Sequence, residues 1–164
     1  MTHCSIKFGV AAVALFAMAA CSDQGSQSAG GSPDEPTPLP DAAVYQNQQG
    51  PARSESTQIV LQPGDRTEVK AIMDADQVIT YQWVSNLPVY VDFHGHEPGE
   101  SNIWYRYREQ EAGMSSFGSL VAPVSGEHGW YYRNDSPSEV TIDLRVDGYF
   151  DGLRDLGIFP PATD

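Results

Sequence analysis

Between about residue 57 and residue 150, apolar and polar side chains alternate in short runs divided by turn formers, a period of two that fits antiparallel strands. Ile59 and Leu61 precede Pro63-Gly64-Asp65, and Val69, Ala71 and Met73 precede Asp74-Ala75-Asp76. Ile79, Tyr81 and Trp83 lead to Asn86-Leu87-Pro88, after which Val89, Val91 and Phe93 resume the alternation. Ile103, Tyr105 and Tyr107 form another run, as do Phe117 to Ala122 and His128 to Asn134. Asp135-Ser136-Pro137-Ser138 is a turn, and beyond it Val140, Ile142, Leu144 and Val146 oppose Thr141, Asp143, Arg145 and Asp147. No window reads as a capped amphipathic helix. The pattern predicts an all-β domain over residues 57–150, a single antiparallel β-sandwich of about seven to eight strands, with residues 151–164 as a C-terminal tail.

The first residues follow a different pattern. Phe8 to Ala20 is an uncharged run of 13 apolar or small residues behind Lys7. That is too short for a relaxed membrane-crossing helix, which needs roughly 20 residues, but it suits the apolar region of a secretory leader. It ends in Met18-Ala19-Ala20-Cys21, which resembles the lipobox of bacterial lipoproteins, with Met18 where that family usually has Leu. The resemblance implies a signal peptide over residues 1–20 and acylation of Cys21. An ordinary signal peptide cut after Ala19 is the alternative. Cys4 and Cys21 are the only cysteines, so cleavage before Cys21 leaves a single cysteine and no internal disulfide. Ser22 after the cysteine resembles the pattern sorted to the outer rather than the inner membrane, with Asp23 one position later.

Residues 21–56 are rich in Ser, Gly, Gln, Pro and acids and nearly lack branched apolar side chains. Such a segment buries too little surface to offset its ordering entropy, so a disordered linker is expected there. Without residues 1–20 the chain keeps 8 basic and 22 acidic residues, a net charge of −14. Phosphate backbones are repelled by that charge, which removes nucleic acid from the candidate partners. Anionic headgroups are equally poor partners, leaving membrane attachment to the acyl group. The expected setting is an exported, membrane-anchored protein facing the periplasm.

The segment Val89-Tyr90-Val91-Asp92-Phe93-His94-Gly95, then Gly126-Glu127-His128-Gly129-Trp130-Tyr131-Tyr132-Arg133-Asn134 and the strand ending Gly148-Tyr149, resembles a group of small bacterial membrane-anchored proteins of unknown function. More remotely, the order of features is similar to the GOLD domain, a β-sandwich that acts through protein interaction. Those domains often carry a cysteine pair that is missing here. The likeness spans roughly residues 57 to 150 and implies a fold more than an activity.

One cluster has the composition of a metal site. Alternation puts Tyr90, Asp92, His94 and His96 on one strand face, opposite Val89, Val91 and Phe93. With Glu100 and His128 these histidines offer ligands of the kind that zinc and other divalent transition metals accept. The His94-x-His96-x-x-x-Glu100 spacing resembles the first metal motif of cupins, although the flanking glycines of that motif are missing. Gly95 between the two histidines points to a bend or bulge. Trp83, Trp104, Tyr105, Tyr107, Trp130, Tyr131 and Tyr132 offer rings for stacking on sugars, but strand parity sends about half of them inward as core. Nothing supports nucleophilic catalysis: no Gly-x-Ser-x-Gly elbow and no phosphate-cradling glycine loop are present.

These features lead to the expectation of a non-catalytic envelope lipoprotein, without a required cofactor. Its domain binds another envelope protein through Asp92, His94, His96, Glu127 and His128. The competing expectation is a periplasmic metal-binding or cupin-like metalloenzyme that uses His94, His96, Glu100 and His128.

Overall fold

A computed structural model describes residues 40–41, 44–99 and 104–161. Cys21 and Glu100 lie outside the described residues. The chain divides into two units, Met1–Ala42 and Ala43–Asp164, and every described strand belongs to the second. There are seven: β1 (Arg53–Leu61), β2 (Arg66–Met73), β3 (Val78–His96), β4 (Tyr105–Val121), β5 (Gly126–Arg133), β6 (Val140–Gly148) and β7 (Gly152–Phe159). All pairings are antiparallel, and no α-helix occurs among the described residues.

The all-β, sandwich-like expectation holds, and its two layers are made from one folded sheet in the order β1-β6-β3-β5-β2-β7, with β4 beside β3. The device is β3, which is 19 residues long. Ile79 to Ser85 pair with β6, whereas Tyr90 to His96 pair with β5. Along its other edge β3 pairs with β4 over both stretches. One layer is therefore β1, β6, the first half of β3 and the second half of β4. The other is β7, β2, β5, the second half of β3 and the first half of β4. Opposite this hairpin, β1 approaches β7, and the Leu153 amide donates to Glu55 Oε2 at 3.1 Å. The sheet is thereby nearly closed, in a barrel-like shape.

Asn86-Leu87-Pro88, expected to be a turn between two strands, is the corner where β3 changes layers. Proline lacks an N–H and is tolerated only where no ladder bond is required. Pro88 meets that condition, because pairing with β6 has ended and pairing with β5 has not begun. Ser85 Oγ donates to the Leu87 carbonyl at 2.7 Å, and Asn86 Oδ1 accepts from the Thr141 amide at 2.9 Å. These side chains hold the bend.

Two further differences have a shared cause. The runs at Tyr105 and Phe117 are parts of one strand of 17 residues, and the expected tail supplies β7. Both β4 and β7 are edge strands and are largely exposed. An edge strand needs little apolar alternation, so neither shows the pattern that marks the central strands.

The core lies between the layers. Tyr81, Phe93, Trp130 and Tyr107 form an aromatic cluster, in which Phe93 and Trp130 stack with centroids 4.8 Å apart and planes 3° apart. Trp83 meets Tyr132 edge-on at 5.8 Å. Ile59, Leu61, Val140, Ile142, Leu144 and Val146 fill the first layer as their alternation predicts. Buried Asn134 clasps two turns: its Nδ2 donates to the Leu61 and Ser138 carbonyls, and its Oδ1 accepts from the Ser136 amide. Trp130→Ala removes the central ring of this core and is expected to cost about 3–5 kcal/mol, read as a lower midpoint of urea unfolding at unchanged slope.

Candidate functional site

The outer face of the second layer carries most of the chemistry, and its arrangement follows from strand register. Lys70 of β2 stands opposite Gly129 of β5, which stands opposite His94 of β3. Arg154 of β7 and Arg106 of β4 complete the row on either side. One rung therefore reads Arg154, Lys70, Gly129, His94, Arg106. Glu127 and His96 occupy the rung on one side. Glu68, Tyr131, Asp92 and Glu109 occupy the rung on the other. A row of bases thus lies between acids, and the ion pairs run diagonally between rungs.

Gly129 makes the centre of this face possible. With no side chain there, the Lys70 chain crosses the gap and its Nζ lies 2.6 Å from His94 Nε2. A Cβ at Gly129 would collide with the Val69 carbonyl oxygen, so the close approach of β2 and β5 and the gap between Lys70 and His94 depend on one residue. Lys70 is fully buried although it points away from the core, with Glu68 Oε2 at 3.4 Å. Burial pushes its amine below the ordinary value, opposed by the Glu68 carboxylate. Burial likewise lowers the His94 imidazole, and the positive charge of Lys70 lowers it further. Two cations cannot share a contact of 2.6 Å with no lone pair between them. With Lys70 charged, Nζ donates to Nε2, and His94 is the neutral tautomer whose Nδ1 donates to the Asp92 carbonyl at 3.2 Å.

The neighbouring groups are tied down as firmly. Arg106 donates from Nε and Nη2 to Asp92 Oδ2 at 3.1 and 2.7 Å and from Nη1 to Glu109 at 2.9 Å. These bonds raise its guanidinium further. Tyr90 donates to Glu109, and that bond pushes its phenol up to about 12. Arg154 donates to Glu127 at 2.6 Å, and His96 lies 3.9 Å from the same carboxylate. Asp92 Oδ1 is buried without a hydrogen bond, 3.6 Å from His94 Nδ1. Trp104 stands at the margin, 46% exposed, with the Arg106 guanidinium 4.8 Å above its ring and His94 against its edge. Glu68, His94, His96 and Trp104 line a shallow pocket of about 220 Å³.

Asp92, His94, His96 and Glu127 thus share one face, as strand parity predicts, but Asp92 is buried rather than presented. His128 does not join them. It points inward and is fully buried, accepting from Tyr107 OH at Nδ1 (2.7 Å) and donating from Nε2 to the Val124 carbonyl (2.9 Å). Alternation with Trp130 and Tyr132 carries that information in the sequence. Desolvation lowers the His128 imidazole and pushes the Tyr107 phenol up to about 12. Among the described residues no three His, Cys, Asp or Glu side chains converge as a metal site. The His94 Nε2 lone pair faces Lys70 instead, which does not fit a cupin-type ligand set. Glu68, Lys70, Arg106, Arg154 and Gly129 carry no motif in the sequence, because only strand pairing brings them together.

No protein-family model matches this sequence, and no curated protein shows significant similarity to it.

The depressed imidazoles set the pH dependence of stability. The ordinary imidazole value is about 6.5. As pH falls below it, the unfolded chain takes up protons that His94 and His128 refuse in the fold, so stability declines until the folded-state values are passed. Lys70 acts in the same direction at alkaline pH, because its unfolded amine stays protonated up to about 10.5. Urea unfolding at pH 7.5 and pH 5 is expected to show the lower midpoint at pH 5. In Lys70→Met, NMR titration is expected to place His94 higher than in the unaltered protein.

Proposed function

We propose that this chain is an exported lipoprotein, held through an acylated Cys21 and the linker to the outer membrane, whose β-domain is a non-catalytic module that docks another envelope protein. The docking surface is the outer face of β3 and β4 around Trp104, with Arg106, His94, His96, Glu68 and Glu127 as its polar surround. The observation that carries this reading is the setting of Trp104, a half-exposed ring braced by Arg106 and His94 beside a shallow pocket. Trp and Arg dominate the energetics of protein interfaces, where a rigid ring fills a partner's pocket inside a polar rim. Here the rim is already organised: Arg106 holds Asp92 and Glu109, Lys70 holds His94, and Arg154 holds Glu127, so little side-chain entropy remains to be lost on docking. Among the described residues the one amine within reach of a base, Lys70 against His94, is fully buried, which favours binding over catalysis.

In-cell photo-crosslinking from a position beside Trp104 is expected to capture one partner protein. Trp104→Ala is expected to weaken that association by about 2 kcal/mol, roughly 30-fold. Capture of the same partner at undiminished yield by Trp104→Ala defeats the reading. The anchoring part is checked separately: Cys21→Ser is expected to abolish labelling by radioactive palmitate and to move the chain from the membrane to the soluble fraction.

A further inference from the structure

Among the described strands, the second half of β4 is the least protected edge. Among the described residues β4 pairs only with β3, so its far edge presents unpaired amide and carbonyl groups. Natural edge strands are blunted by charges, prolines or bulges. The first half of β4 has such protection, with Arg106, Arg108, Glu109 and Glu111 and a register shift opposite Phe93 and His94. Beyond the register shift opposite Gly113 to Ser115, the stretch from Ser115 to Val121 has none: it reads Ser-Ser-Phe-Gly-Ser-Leu-Val without a charge or a proline. Met114, Phe117 and Val121 are exposed in this half of β4, Phe117 by 64%, beside exposed Val84 of β3. Segment 44–48 lies near the Val121 end, where Val44, Gln46 and Gln48 border a groove with Val78 and Val121; none of the described residues of that segment borders Phe117 in it.

The order of residues along this edge indicates what covers it. A two-fold interface places each residue against its own mirror position, so it must be self-complementary. Read outward from Phe117, the sequence nearly is. Ser116 answers Gly118, Ser115 answers Ser119, Met114 answers Leu120, and Gly113 answers Val121. In an antiparallel pair about Phe117, ring meets ring, the Ser115 and Ser119 hydroxyls meet, and exposed Met114 lies across from Leu120, which is partly buried against its own core. Strand parity keeps each matched pair on one face. Charge restricts where such a contact can form. The chain has a net charge of −13, so two copies repel over most of their surfaces, whereas the first layer's outer face on this side carries only Val78, Thr80, Gln82 and Val84 from β3 and Ser115, Phe117, Ser119 and Val121 from β4.

We propose that a second copy of this chain occupies the edge: two molecules pair β4 to β4 antiparallel about Phe117. The joined layer then runs β1-β6-β3-β4 into β4-β3-β6-β1 of the other copy, and both open edges disappear. This interface is separate from the Trp104 surface and does not depend on it.

Sedimentation equilibrium of the full chain in density-matched detergent is expected to give a dimer, and Phe117→Lys/Ser119→Lys is expected to weaken the association at least 100-fold. Both positions are exposed, so circular dichroism and the melting temperature should stay close to those of the unaltered chain. Phe117→Cys, made in a Cys4→Ser/Cys21→Ser background so that no other thiol is present, is expected to give a reducible dimer when the purified chain is air-oxidised. Trp104→Ala should remain dimeric. A monomer at 100 µM, a dimer that persists in the double-lysine variant, or a Phe117→Cys chain that does not link to itself on oxidation each overturns the proposal.

Discussion

The backbone hydrogen bonds of a single strand connect both layers of this domain. β3 pairs with β4 along its whole length on one edge, and with β6 and then β5 on the other. A strand can serve two layers only if it bends where no ladder bond is demanded, and the stretch around Pro88 satisfies that condition. Everything else is placed from there. β1 reaches the fold through β6, β2 through β5, and β7 through β2. The aromatic core gathers against Tyr81 and Trp83 from the first half of β3 and Phe93 from the second.

The outer face of the second layer shows how cross-strand pairing fixes a polar surface. Glycine at position 129 lets Lys70 reach His94, and the resulting contact leaves room for only one positive charge between them. Asp92 is held by Arg106, which also braces Trp104. Each of these bonds joins residues from different strands or from successive rungs. The face is therefore stiff, and the ring at its margin stands on a preorganised base.

Residues on the central strands were legible in advance. The alternation of Val140, Ile142, Leu144 and Val146, of Val69, Ala71 and Met73, and of Ile79, Tyr81 and Trp83 matches their burial. A side chain that must enter the core has no other way to be written on a strand. The same parity separates His128 from His94 and His96, although shared residue type groups them as ligands. β7 and the continuity of β4 were not legible, since an edge strand is held by backbone bonds that any sequence without proline can make.

Burial and backbone geometry are local demands on residue type, so the chain's own pattern fixes the secondary-structure class, the core side of each central strand and the turns at Gly64, Asp76 and Ser136. It also carries the acidic balance and the leader pattern that ends at Cys21. Strand pairing in three dimensions makes Asn86-Leu87-Pro88 a corner and not a turn, brings Lys70 to His94 across Gly129 and, among the described residues, leaves the second half of β4 open. Those outcomes depend on which strands become neighbours. Strand pairing is set by the summed fit of the whole core, and no short stretch of sequence contains it.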